Sequence, residues 1–151
     1  MSEPSYLELH SNGKLREITD KLYAIYASCT LCPRLCKVNR TSGEIGFCGA
    51  GSTVKVSSAA PHFGEERPLV GVHGSGTIFL THCNHLCVYC QNWDISHKGD
   101  GDTITDEQLA LTMLRLQSIG CHNINFVSPT HYLPNIVNAV SLAAEKGLDV
   151  P

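Results

Sequence analysis

Thr77-Ile78-Phe79-Leu80-Thr81-His82-Cys83-Asn84-His85-Leu86-Cys87-Val88-Tyr89-Cys90 carries an apolar, β-branched run straight into three cysteines. Residues 77–81 have the composition of a strand. The cysteines follow as C-x3-C-x2-C. Three thiolates so spaced can cap three corners of an iron–sulfur cube, and thiolates suit iron as soft ligands. No fourth cysteine lies in the run, so one iron is left without a protein ligand. An open coordination position lets a metal site take substrate instead of only holding the fold.

Downstream the pattern repeats. Asp102 to Asp106 predicts the opening of a helix capped by Thr105 or Asp106, with Leu109, Met113, Leu116 and Ile119 inward and Gly120 as its stop. Ile124-Asn125-Phe126-Val127 predicts a second strand. After Pro129 and Pro134, residues 135–146 predict a second helix with Ile136, Val137, Val140 and Ala144 inward, closed by Gly147. Strand, helix, strand, helix is the order of a parallel α/β sheet. Leu148-Asp149-Val150-Pro151 has the look of a third strand cut short. Two parallel strands neither close a sheet nor cover its faces, so the sequence reads as the N-terminal part of a longer protein.

Upstream, Leu15, Ile18, Leu22, Ile25 and Tyr26 recur at helical spacing within residues 1–28 and form one apolar face. Residues 29–52 hold Cys29, Cys32, Cys36 and Cys48, spaced C-x2-C-x3-C-x11-C, and read as an irregular, metal-tied loop. Four thiolates can close a structural zinc site or hold an auxiliary iron–sulfur cluster; the spacing leaves both open. An iron cluster there could relay an electron, whereas zinc has no redox chemistry. Residues 53–60 alternate like a short strand, Pro61 to Pro68 predicts a loop, and Gly71, Gly74 and Gly76 punctuate the approach to the central run.

The 151 residues suffice for a domain with a real core, and 42% hydrophobic and 17% charged residues are globular values. The net charge of -3 and the lack of a Lys/Arg run argue against a nucleic-acid surface. No apolar stretch approaches a membrane span, and Met1-Ser2-Glu3-Pro4-Ser5 is no secretory leader, so the expected location is cytoplasmic. Eight cysteines in a reducing compartment read as metal ligands or catalytic thiols rather than disulfides. Cys121 stands alone and is expected to be a small buried residue.

The C-x3-C-x2-C run with Tyr89 before its last cysteine, directly after a first strand, resembles the cluster motif of the radical S-adenosylmethionine superfamily. Cys87-Val88-Tyr89-Cys90-Gln91-Asn92-Trp93-Asp94-Ile95-Ser96, with Gly64-Glu65-Glu66 and Ser128-Pro129-Thr130-His131, is similar to its pyruvate formate-lyase-activating-enzyme-like branch over about residues 29–151. The resemblance implies an oxidoreductase whose 4Fe–4S cluster, held by Cys83, Cys87 and Cys90, cleaves S-adenosylmethionine reductively so that hydrogen is abstracted from a substrate. That substrate is a glycine of a partner protein, another protein or a small molecule.

It implies cofactor contacts by Tyr89 near the adenine and by Asn92, Ser128 and Thr130. The usual glycine-rich turn after the second strand is here Ser128-Pro129-Thr130-His131. It implies an electron donor such as flavodoxin or ferredoxin. It also implies a fold in which residues 1–75 form an N-terminal helix and Cys-rich metal-binding segment and residues 76–151 begin a partial (β/α) barrel with parallel strands.

The competing reading is a non-catalytic binding module tied by zinc or iron–sulfur, with His82 or His85 as a fourth ligand beside Cys83, Cys87 and Cys90. Glu65 and Glu66 read as solvated loop residues, with substrate binding as the other reading. His131 and Tyr132 follow the second strand toward the presumed site. No phosphate loop or nucleophile elbow is present.

Overall fold

A computed structural model describes residues 3–151. Its elements are α1 (Ser5–Ser11), α2 (Lys14–Ala24), β1 (Lys55–His62), α3 (Arg67–Val70), β2 (Ser75–Leu80), β3 (Asp102–Thr103), α4 (Asp106–Ser118), β4 (Ile124–Val127) and α5 (Leu133–Ala144). One four-stranded sheet runs in the order β3-β1-β2-β4. Only β2 and β4 are parallel, in register from Gly76↔Ile124 to Phe79↔Val127. β1 is antiparallel to both β2 and β3. The fold is therefore mixed α/β with a partly parallel sheet. The expected wholly parallel sheet is corrected by β1, which pairs from Val56↔Leu80 to His62↔Ser75. A strand of the Cys-rich segment thus shares the sheet of the following α/β unit.

β2 is the central strand because both its edges are used and nearly all its residues are buried. That explains its continuous apolar and β-branched run. Ile78 and Leu80 meet Leu109, Ala110, Met113 and Leu116 of α4 and Ile136, Ala139 and Ala143 of α5 in one core. α4 begins with the expected Thr105 cap, completed as a capping box. The Gln108 N–H donates to the Thr105 hydroxyl (3.2 Å) and the Thr105 N–H donates to the Gln108 carboxamide (2.8 Å). After its last turn the chain leaves through Gly120 at φ +100°, a conformation glycine adopts without Cβ strain.

Several local expectations shift. β1 runs two residues further than the alternation implied, through Pro61 and His62. β3 covers only Lys55 and Val56. β1 is an edge strand at Pro61, where a missing N–H is tolerated. The presumed loop up to Pro68 contains the first residues of α3. Asp102 and Thr103 form β3 rather than helix. Ile18 and Ile119 are exposed. Thr19 takes the buried position on α2, its hydroxyl satisfied by the Leu15 carbonyl at 2.9 Å. α5 starts and ends two residues before the predicted limits, and its buried stripe is Asn135, Ile136, Ala139 and Ala143. The alanines, lacking bulk, let α4 and α5 approach closely. Cys121 is buried as expected.

The polar Asn135 is tolerated in that stripe because its hydrogen bonds are met. It accepts from the Tyr26 hydroxyl (2.6 Å) and donates to Asp106 (2.9 Å) and the Ser52 carbonyl (3.2 Å). Asp106 also accepts from Asn138 (2.7 Å) and from the Tyr23 hydroxyl. This network locks α2, α4 and α5 together. Past α5, the Pro151 carbonyl accepts from the Ile124 N–H (2.7 Å) beside β4. The Tyr6 hydroxyl of α1 reaches the carbonyls of Leu148 (3.1 Å) and Val150 (2.8 Å). Among the described residues no helix is long and apolar enough to cross a membrane.

Candidate metal centres

Two cysteine loops adjoin the sheet. The first holds Cys29, Cys32, Cys36 and Cys48, and all four line one small cavity of about 10 Å³, together with Leu31, Arg40 and His131. Reciprocal bonds close the loop's base, from the Cys29 N–H to the Val38 carbonyl and from the Lys37 N–H to the Cys29 carbonyl, both 2.9 Å. The Phe47 N–H points at the Cys36 sulfur, 3.4 Å away. Burial pushes the Cys48 thiol up from its ordinary range.

The second loop leaves the carboxyl end of β2. Its thiols are half-buried. Cys83 accepts from the His85 N–H (3.4 Å) and Cys90 from the Ser96 hydroxyl (3.3 Å). Cys87 and Cys90 are linked through a backbone turn of 3.1 Å. The loop then enters a π-helical turn, Asp94–Lys98. Ser128 is half-buried at the carboxyl end of β4, beside β2. Thr130 opens the following 3-10 turn, Thr130–Tyr132. Asn92 is half-buried and its carbonyl accepts from the Ser96 N–H at 2.9 Å. The Tyr89 side chain is 87% exposed.

The donor sets are soft sulfur supported by N–H and O–H donors, and every cysteine is a free thiol. That chemistry fits thiolate-bound metal. Among the described residues, however, no three His, Cys, Asp or Glu side chains converge as bound ligands do. The first set shares a cavity without closing on a point, and the second is fixed thiol by thiol.

Backbone strain collects at the same two loops and just after β4. Five non-glycine residues are left-handed: Leu35 (φ 45°), Lys37 (56°), His82 (63°), Leu86 (50°) and Ser128 (58°). The first two flank Cys36, His82 and Leu86 precede Cys83 and Cys87, and Ser128 ends β4. Such conformations cost about 1–3 kcal/mol each and collect at functional sites.

The loops also touch. Arg34 donates to the Asn84 carbonyl at 3.3 Å. The His82 ring packs against Gly49 beside Cys48 and against Gly99 beyond the π turn. Burial, aided by Lys55 and Arg40, lowers the His82 pKa. His131, undecided in the sequence, is buried between the loops. Its Nε2–H donates to the Thr81 carbonyl (2.9 Å), while Nδ1 has no partner. Burial first, then Arg40 and His82, bring its pKa down to about 4, against the Thr81 bond that raises it.

Arg40 escaped the sequence reading altogether. It is 1% exposed and lies over the Tyr26 ring at 4.0 Å. It donates to the carbonyls of His131 (2.6 Å) and Gly51 (3.0 Å) and stands 3.9 Å from the Cys29 sulfur. A cation inside a four-cysteine loop was the one available signal.

These features define a mixed α/β protein with two adjoining cysteine loops, one of them carried at the end of a parallel strand pair. Two proteins of Methanocaldococcus jannaschii are similar to it. Uncharacterized protein MJ0674 is 38% identical over 125 residues, covering 78% of this chain and 36% of that protein. Uncharacterized protein MJ0808 is 26% identical over 137 residues, covering 80% of this chain and 40% of that protein. The chain thus spans about two fifths of the length of the curated relatives it matches. No protein-family model matches the chain. No solved structure matches it either.

Proposed function

We propose that the protein is the cluster-bearing part of a radical S-adenosylmethionine enzyme of the pyruvate formate-lyase-activating-enzyme-like branch, with Cys83, Cys87 and Cys90 as ligands of a 4Fe–4S cube. One observation carries this reading: the C-x3-C-x2-C run hangs from the carboxyl end of β2, and the parallel neighbour β4 ends beside it at the left-handed Ser128. Ligands of parallel α/β folds bind at the carboxyl ends of strands. In this reading β2–α4–β4–α5 is the first two repeats of a partial (β/α) barrel.

A 4Fe–4S cube held by Cys83, Cys87 and Cys90 would supply reductive cleavage of S-adenosylmethionine, and through it hydrogen abstraction from the substrate. The chain's own part is to hold and tune. The left-handed turns at His82 and Leu86 aim the first two thiolates. The His85 N–H and the Ser96 hydroxyl disperse charge on the sulfurs of Cys83 and Cys90, which raises the reduction potential. Tyr89 stands at the rim, where its backbone can meet the adenine. Asn92, Ser128 and Thr130 offer polar groups to the amino-acid end. The electron would come from a small donor such as flavodoxin or ferredoxin, and the substrate would be a protein glycine, another protein or a small molecule.

The test is anaerobic reconstitution followed by reductant and S-adenosylmethionine. Formation of 5′-deoxyadenosine supports the enzyme. A full-length protein that takes up iron and never cleaves S-adenosylmethionine is instead the non-catalytic module.

A further inference from the structure

Arg40 poses a problem of charge. A guanidinium never loses its proton in a protein, and a buried cation needs an anion or a metal-bound counter-charge nearby. Among the described residues the ion pairs are His62–Glu65 and Lys98–Asp94, so no carboxylate answers Arg40. Its oxygen partners are neutral carbonyls, from Gly51 and His131, and its aromatic partners are Tyr26 and, further off, Tyr132. What remains beside it is sulfur: Cys29 at 3.9 Å, and a cavity that Arg40 shares with Cys29, Cys32, Cys36 and Cys48.

The four thiols share one small cavity of about 10 Å³, and as the loop stands this is room for a single atom-sized guest. Four thiolates round one divalent ion carry two net negative charges, the counter-charge that Arg40 lacks. The loop is built to deliver them. Cys29 and Cys36 are fixed by the closed base, Cys36 lies between two left-handed residues, and the Phe47 N–H faces its sulfur. Gly46 lies so close that a Cβ there would stand 3.2 Å from the Cys36 sulfur.

We propose that Cys29, Cys32, Cys36 and Cys48 bind a single zinc-type ion as a tetrathiolate, and that Arg40 is its buried counter-cation. The ion draws the four thiolates inward to bonds of about 2.3 Å. Each thiol gives up its proton to solvent on binding. Arg40 ties the centre to the sheet through the His131 carbonyl, and His131 in turn holds the Thr81 carbonyl at the end of β2. The centre therefore braces the start of the second cysteine loop. This inference does not rest on radical chemistry at Cys83, Cys87 and Cys90.

The experiment isolates the first loop by replacing the second set, in the variant Cys83→Ser/Cys87→Ser/Cys90→Ser. That protein is expected to retain one zinc per chain and little iron by elemental analysis. Cobalt added to its apo form should give the intense sulfur-to-cobalt and visible bands of a tetrathiolate site. Adding Arg40→Met should weaken cobalt binding by about 10–100-fold, the usual effect of losing an outer-shell partner, and Arg40→Lys should restore much of it. The proposal is overturned by absence of stoichiometric metal, by about four irons per chain in the triple variant, or by undiminished cobalt affinity in Arg40→Met. Should Arg40→Met fail to fold, metal content and the cobalt spectrum of the triple variant decide alone.

Discussion

A Cβ placed on Gly99 would lie 2.3 Å from Cε1 of His82. The two residues are in contact because the chain, after its π-helical turn, folds back over the ring that precedes Cys83. Gly99 is also left-handed, at φ +71°. Gly99→Ala is therefore expected to destabilise the protein by about 2 kcal/mol or more, through backbone strain and the clash together. Urea denaturation measures this. A variant as stable as the parent would show that the His82 ring is free to move aside.

The Thr105 capping box anchors α4. Thr105→Ala should cost about 1 kcal/mol and Thr105→Ser very little, since serine keeps the oxygen that accepts from Gln108. The shift should appear in the denaturation midpoint with the slope unchanged. Equal losses in both variants would mean that the threonine methyl, not its oxygen, does the holding.

Alkaline stability should follow the tyrosine network. Burial, and for Tyr23 the hydrogen bond to Asp106, raise the pKa values of Tyr23 and Tyr26 above the usual phenol range. An acid whose folded pKa is raised keeps its proton in the native state while the unfolded chain releases it. Stability is complete below the ordinary phenol pKa of about 10 and falls as pH rises beyond it. Phenolate absorbance should show Tyr6, Tyr23, Tyr26 and Tyr132 ionising late, Tyr23 and Tyr26 only with unfolding, and Tyr23→Phe should remove part of the pH dependence. Smooth titration of all five tyrosines in the folded protein would contradict this.

If the second loop holds the cube, Cys87→Ala should abolish both the iron–sulfur absorbance at that loop and 5′-deoxyadenosine formation. Ser96→Ala should keep the cluster and lower its reduction potential, because a donor to the Cys90 sulfur is gone. Potentiometry read by electron paramagnetic resonance separates the two. An unchanged potential in Ser96→Ala would mean that this hydroxyl does not bond the liganded sulfur.

Strong local signals were legible. Ile124–Val127 matches its predicted strand residue for residue, and the Thr105 cap and the Gly120 stop fall where their chemistry demands. What stayed hidden was tertiary. Nothing in residues 53–60 says that the strand pairs antiparallel with β2, since pairing partners are not written in alternation. Ile18 and Ile119 fit their helical stripes, yet burial depends on how each helix rolls against its neighbours. At the site, the grouping of cysteines was visible in spacing. Arg40 was not, because its meaning comes from meeting His131 across 91 residues of chain, and His131 was marked only by its place after the second strand.

The Tyr6 hydroxyl bonds carbonyls 142 and 144 residues further on. On the ribosome, α1 emerges well before α5, and its Tyr6 hydroxyl finds both acceptors only after residue 150 has followed. Until then its contacts with α5 have nothing to close on, and loop closure over such a span comes late. α1 is thus made long before the segment that its Tyr6 hydroxyl docks against.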